Sequence, residues 1–138
     1  MRLRKAKVMK ERSQSGTDSV CQRRFDEALR LRDQGSLVEA EETLSQLMEQ
    51  YPENLGIILV RAGVLFDLER FHDAYTLFKT ILDSRPDHEL ASRGLFHSLW
   101  KLGKHDDAFS EMKRFLSIAD SDAYADLLND INADLRDS

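Results

Sequence analysis

The chain has 138 residues with two prolines, six glycines, one cysteine and a formal charge of −5, a length that accommodates one compact domain with a continuous core. No run approaches the ~18 apolar residues of a bilayer-spanning helix, which argues against membrane insertion. The single cysteine, Cys21, excludes an internal disulfide and suits a reducing compartment, so a cytoplasmic location is expected.

In chain order, residues 1–17 come first as a basic leader expected to be flexible. Six basic side chains (Arg2, Arg4, Lys5, Lys7, Lys10, Arg12) stand there against Glu11 alone, a net +5 that leaves −10 on the remainder. An acidic body repels nucleic-acid phosphates, so any contact with a polyanion would have to come from this leader. The leader also lacks the interleaved aromatics of a single-strand platform, which argues against nucleic acid as the partner.

Beyond the leader every periodic segment has helical spacing. Helices are expected at about 18–34, 37–50, 55–68, 71–83, 88–102, 105–118 and 121–135. In the second, Leu37, Ala40, Leu44, Leu47, Met48 and Tyr51 step by three or four and share a face; Phe71, Ala74, Phe78, Ile81 and Leu82 repeat the pattern in the fourth, and Ala108, Met112, Phe115 and Leu116 in the sixth. Gly35 is placed to end the first helix in the left-handed conformation, and Ser36 with Glu39 reads as a capping box for the second. Pro52 and Pro86 stop the second and fourth helices; Asn54, Asp87 and Ser121 are the N-cap candidates for the helices that follow. The last segment reads as a cap: Tyr124, Leu127, Leu128, Ile131 and Leu135 make an apolar stripe, and Asp122, Asp126, Asn129, Asp130 and Asp134 solvate the rest.

One period runs through these elements. Ala40, Ala74 and Ala108 are 34 residues apart, as are Leu31, Leu65 and Leu99, the large apolar trio Leu44, Phe78 and Met112, and the pair Pro52 and Pro86; Gly35 and Gly103 lie two periods apart with Glu69 between them. This arrangement resembles the tetratricopeptide repeat family, whose unit is a helix, a tight turn, a helix and a proline. The resemblance spans about residues 21–120. It implies an all-α, right-handed solenoid of three helix pairs (about 21–54, 55–88 and 89–120, within 18–120) closed by a C-terminal capping helix over 121–138. Departures are Phe96 where the first two repeats have Ala28 and Ala62, Asp120 in place of the third proline, and the missing early tryptophan of the family pattern.

Nothing in the sequence assembles catalytic chemistry. His72, His88, His97 and His105 form no pair one turn apart and no HExxH motif, Cys21 has no CxxC partner, and the neighbouring carboxylates Asp106 and Asp107 point in different directions on a helix. No enzyme, cofactor or metal is expected.

The reading that remains is a module that binds a protein or peptide. In the family the concave wall is made by the first helix of each repeat, and the resemblance places Phe66, Arg93, His97, Trp100 and Lys101 on it. Arg93, His97 and Lys101 step by four with Trp100 beside them, a combination of cations and aromatics that binding hot spots favour. Trp100 has two readings, as a groove residue or as filler between the third repeat and the cap. The family's carboxylate clamp has its places occupied by Phe25, Leu29, Val60, Leu90 and Gly94, which hold no charge. The chain also looks like stand-alone bacterial proteins of this family, some of which serve as immunity partners of toxins. That likeness implies an immunity or adaptor role, with a secretion-type chaperone or a nucleic-acid binder acting through the leader as alternatives.

Overall fold

A computed structural model describes residues 19–137, and the basic leader lies outside them. All regular structure in that range is helical: α1 (19–33), α2 (Leu37–Gln50), α3 (Leu55–Asp67), α4 (Phe71–Ser84), α5 (Glu89–Lys101), α6 (His105–Leu116) and α7 (Asp122–Asp137). The helices expected from the 34-residue period are all present, with ends shifted by one or two residues.

The period is legible in the backbone of the turns that join α1 to α2, α3 to α4 and α5 to α6. In each, the residue of the Gly35 column takes positive φ: Gly35 at 83°, Glu69 at 62° and Gly103 at 78°. In each, the next amide reaches back five residues to the leucine column, from Ser36 to the Leu31 carbonyl at 2.8 Å, from Arg70 to Leu65 at 2.9 Å and from Lys104 to Leu99 at 2.9 Å. This is the helix ending that satisfies carbonyls left over in the last turn.

That geometry corrects one expectation. Ser36 makes no side-chain cap of α2, and no capping box with Glu39 forms. A capping box needs the Ser36 amide for the Glu39 carboxylate, and that amide is already given to Leu31. Arg70 and Lys104 occupy the same place with the same backbone and no capping hydroxyl, so the turn itself starts the helix.

The longer connections behave differently. Tyr51 and Arg85 are pushed to φ −130° and −133° by the prolines that follow them, and α2 and α4 stop there. After α6 there is no proline, Ser117 stays in the right-handed helical region, and the chain unwinds through tight turns at Ile118 and Ala119. Asn54 caps α3 as expected, its Oδ1 accepting from the Ile57 amide at 3.1 Å, and Ser121 caps α7, its Oγ accepting from the Tyr124 amide at 3.0 Å. Asp87 does not cap α5. Its neighbour His88 does, with Nδ1 accepting from the Ala91 amide at 3.2 Å, because α5 begins at Glu89 and His88 is the residue directly before it.

The chain divides into two compact units, the first ending at Val64 and the second beginning at Leu65. In the first, Ala28, Ala40, Leu44, Leu47, Ile57, Ile58 and Ala62 are buried. Arg61 ties α3 to α2 through Glu41, at 2.8 Å, and through the Met48 sulfur. In the second, α5 packs against both α4 and α6. Its core holds Ala74, Phe78, Ile81, Ala91, Leu95, Phe96, Ala108, Met112, Phe115 and Tyr124. The apolar stripe expected along α7 is buried only at Tyr124; Leu127 and Ile131 are half-buried, and Leu128 and Leu135 are exposed.

Candidate protein-binding surface

Four of the five residues singled out in the sequence lie on α5, so what fixes that helix fixes the surface. His88 caps its N-terminus, Glu89 sits in its first turn and Lys101 in its last, each with the sign that suits the helix dipole. One side of α5 is core: Ala91, Ser92, Leu95, Phe96, Ser98 and Leu99 are buried. Arg93, His97 and Lys101 are spaced at i, i+4 and i+8 and line up on the other side.

Among the described residues neither Arg93 nor Lys101 has a carboxylate within ion-pair distance, and His97 stands between them. The His97 imidazole is pushed below its ordinary pKa, first by partial burial and then by the charges of Arg93 and Lys101. At neutral pH the stripe therefore holds two permanent cations around a neutral imidazole.

Trp100 is half-buried and held on three sides. Its ring stacks on His105 at 4.1 Å and 25° and on Phe96 at 5.8 Å and 16°, with Phe109 edge-on at 5.6 Å. These partners belong to α5 and α6. The contact with the cap is made instead by Phe96 and Phe115 against Tyr124, at 6.0 and 5.7 Å. The ring contacts of Trp100 thus lie within the α5–α6 pair, and the residue is half-buried. Phe66, at the end of α3, is half-buried with its ring edge-on to Phe71 at 5.1 Å. Its ring contact is with α4, whereas the other four residues share α5.

Behind the stripe lies a polar network that the sequence reading did not find. Ser92 donates from Oγ to Glu111 Oε2 at 2.6 Å. Its one hydroxyl hydrogen being used, it accepts from the Tyr124 phenol at 2.6 Å. Arg114 donates to both Glu111 oxygens at 2.7 Å. Ser92 and Tyr124 are fully buried and Glu111 is 8% exposed. Burial first, and the nearby Glu111 charge after it, push the Tyr124 phenol up to about 12. Ser121 adds a second link between α7 and α5 by donating to Glu89. A signal was available in the sequence: Glu111 lies three residues after Ala108 and four before Phe115, so a carboxylate sits inside the apolar stripe of α6 with Arg114 one turn on.

Of the residues at the places of the carboxylate clamp, Phe25, Leu29 and Val60 are half-buried and Leu90 is exposed, while Gly94 lies against the ring of Phe78. Among the described residues no group of three His, Cys, Asp or Glu side chains could hold a metal ion, and no helix is long and apolar enough to cross a membrane.

Residues 22–88 match the family model described as tetratricopeptide repeat. No curated protein matches the chain in sequence. Several solved structures share its fold. The first tetratricopeptide repeat domain of Spaghetti (RPAP3), solved with the HSP90 peptide SRMEEVD, is 19% identical with a TM-score of 0.72, and the match covers 84% of this chain and 93% of that one. MamA from Desulfovibrio magneticus RS-1 is 21% identical with a TM-score of 0.65, covering 70% of this chain and 55% of that one. A tetratricopeptide repeat protein from Parabacteroides merdae is 21% identical with a TM-score of 0.69, covering 75% and 41%. This chain therefore spans about half or less of the length of the latter two.

Proposed function

We propose that this chain, a tetratricopeptide-repeat protein by its matched residues and its fold, is a non-catalytic module that binds a protein or peptide partner, and that Arg93, His97, Trp100 and Lys101, with Phe66, form the binding surface. The observation that carries this reading is the α5 stripe: two cations with no carboxylate beside them among the described residues, next to a tryptophan held rigidly but left partly open to water. A pre-oriented indole contributes apolar contact at little entropic cost, and the cations select a partner with acidic groups. The similar domain solved with an HSP90 peptide supports peptide binding as the mode of action. The uncharged residues at Phe25, Leu29, Val60, Leu90 and Gly94 argue for a partner other than a terminal carboxylate.

At the finer level the role is that of an adaptor or immunity-type protein in the bacterial cytoplasm. Its charge supports this: the net −10 beyond the leader draws in a basic partner, and the α5 stripe then engages that partner's acidic groups. The test is affinity capture of the native partner with the parent chain and with Arg93→Glu combined with Lys101→Glu. The double variant should keep its melting temperature and lose the partner. Equal capture by both proteins would remove the surface from consideration.

A further inference from the structure

The opposite side of α5 carries a second surface. Leu95 and Leu99 are about half a turn around the helix from Arg93, His97 and Lys101. Over them α4 and α6 leave an open cleft of about 510 Å³, with Leu95 and Leu99 in its lining.

The charge on the walls is not balanced. From α4 comes Lys79, its ammonium 5.8 Å from the centroid of the Tyr75 ring. From the start and body of α6 come Lys104, Asp107 and Arg114. Glu111, also in the lining, has both oxygens occupied by Ser92 and Arg114, so it neutralises Arg114 and nothing more. Lys79 and Lys104 therefore stand against Asp107 alone, a basic hollow on a body whose net charge is −10.

The same unit displays the complementary sign. On α7 the residues Asp122, Asp126, Asp130 and Asp134 recur every four positions and all are exposed. Leu128, 37% exposed, lies on the side of that helix away from this row. None of Asp122, Asp126, Asp130 and Asp134 has a cation within ion-pair distance among the described residues.

We propose that α7 of a second copy of this chain docks across the cleft between α4 and α6 by its aspartate face, setting Asp130 and Asp134 against Lys79 and Lys104. The contact joins two different surfaces of the molecule, so it repeats head to tail and leaves the α5 stripe of every copy uncovered. It is small and mainly electrostatic, which places it among weak, salt-sensitive associations.

The experiment is sedimentation equilibrium of the full chain at low salt over a range of concentrations. The weight-average mass should rise above the 15.9 kDa of one chain as concentration increases. Lys79→Glu with Lys104→Glu should hold the protein at the mass of one chain, and so should Asp130→Lys with Asp134→Lys, each variant keeping its helical circular dichroism because all four positions are exposed. An equimolar mixture of the two variants should regain the concentration-dependent rise, since the acidic cleft of one accepts the basic α7 of the other. Arg93→Glu with Lys101→Glu, on the opposite side of α5, should associate like the parent, which separates this contact from partner binding. A parent chain that stays at the mass of one chain, a reversal variant that associates as the parent does, or a mixture that fails to recover would overturn the proposal.

Discussion

The ring of Phe78 occupies the space where a side chain at Gly94 would begin: a Cβ there would lie 2.3 Å from its Cε1 and Cζ. The large residue of the α4 column and the missing side chain on α5 are one packing decision, and Gly94 is present despite costing a helix interior about 1 kcal/mol relative to alanine. Gly94→Ala should therefore destabilise the protein by ~1–2 kcal/mol in denaturant titration, the overpacking exceeding the gain in helix propensity. Adding Phe78→Leu should make the alanine better tolerated, the signature of two residues that share one volume.

Glu69 should respond in the opposite direction. It takes φ 62° in a turn where Gly35 and Gly103 hold the equivalent places. A side chain in the left-handed region costs roughly 1–2 kcal/mol, part of which glycine gives back in the entropy of the unfolded chain. Glu69→Gly should raise stability by about 0.5–1 kcal/mol, measured as a higher melting temperature. The same substitution at Asp67, a helical position, should lower it.

Alkaline unfolding should report Tyr124. An unfolded phenol ionises near pH 10, whereas burial holds the folded one at about 12. The unfolded chain loses its proton first, so stability is intact below about pH 10 and falls as pH rises toward 12, by roughly 3 kcal/mol in all. Tyr124→Phe should remove this component of the alkaline transition. At neutral pH it should cost only about 0.5–1.5 kcal/mol, since Ser92 keeps its bond to Glu111.

His97 governs the acid side. Its folded pKa lies below the unfolded value, so the stability tied to its neutral form is present above about pH 6.5 and is lost as pH falls through the depressed folded value. Titration of its ring protons by NMR should show a midpoint below that of a free imidazole. Arg93→Gln with Lys101→Gln should move the midpoint upward only in part, because burial is the larger cause. In His97→Asn this part of the fall in melting temperature at low pH should be absent.

The helices and their period were readable because their causes are local. Leu31, Leu65 and Leu99, with Gly35 and Gly103, mark a turn whose bonds span five residues. Ser36 misled because capping chemistry is judged from side chains, while its amide had already been claimed by Leu31. The surface was legible only by position. Spacing put Arg93, His97 and Lys101 in line on α5, but that Trp100 stacks on His105 depends on how α6 leaves Gly103, which no spacing within α5 encodes. The Ser92, Glu111 and Tyr124 network joins residues 19 and 32 positions apart, beyond the reach of any single-helix pattern, although Glu111 in an apolar stripe marked the place.

The three matched turns bear on how fast the chain finds its structure. Each closes with hydrogen bonds confined to its own few residues, and in the second unit the principal partners of α5 are its neighbours in sequence, α4 and α6. Little loop entropy has to be lost before such contacts form, which is the condition for folding in the microsecond to millisecond range. The unfavourable backbone of Glu69 lies in one of those closures, the turn between α3 and α4. Relief of that strain by glycine would register as a refolding limb shifted to faster rates in a stopped-flow chevron if this turn forms before the rate-limiting barrier, and as slower unfolding if it forms after.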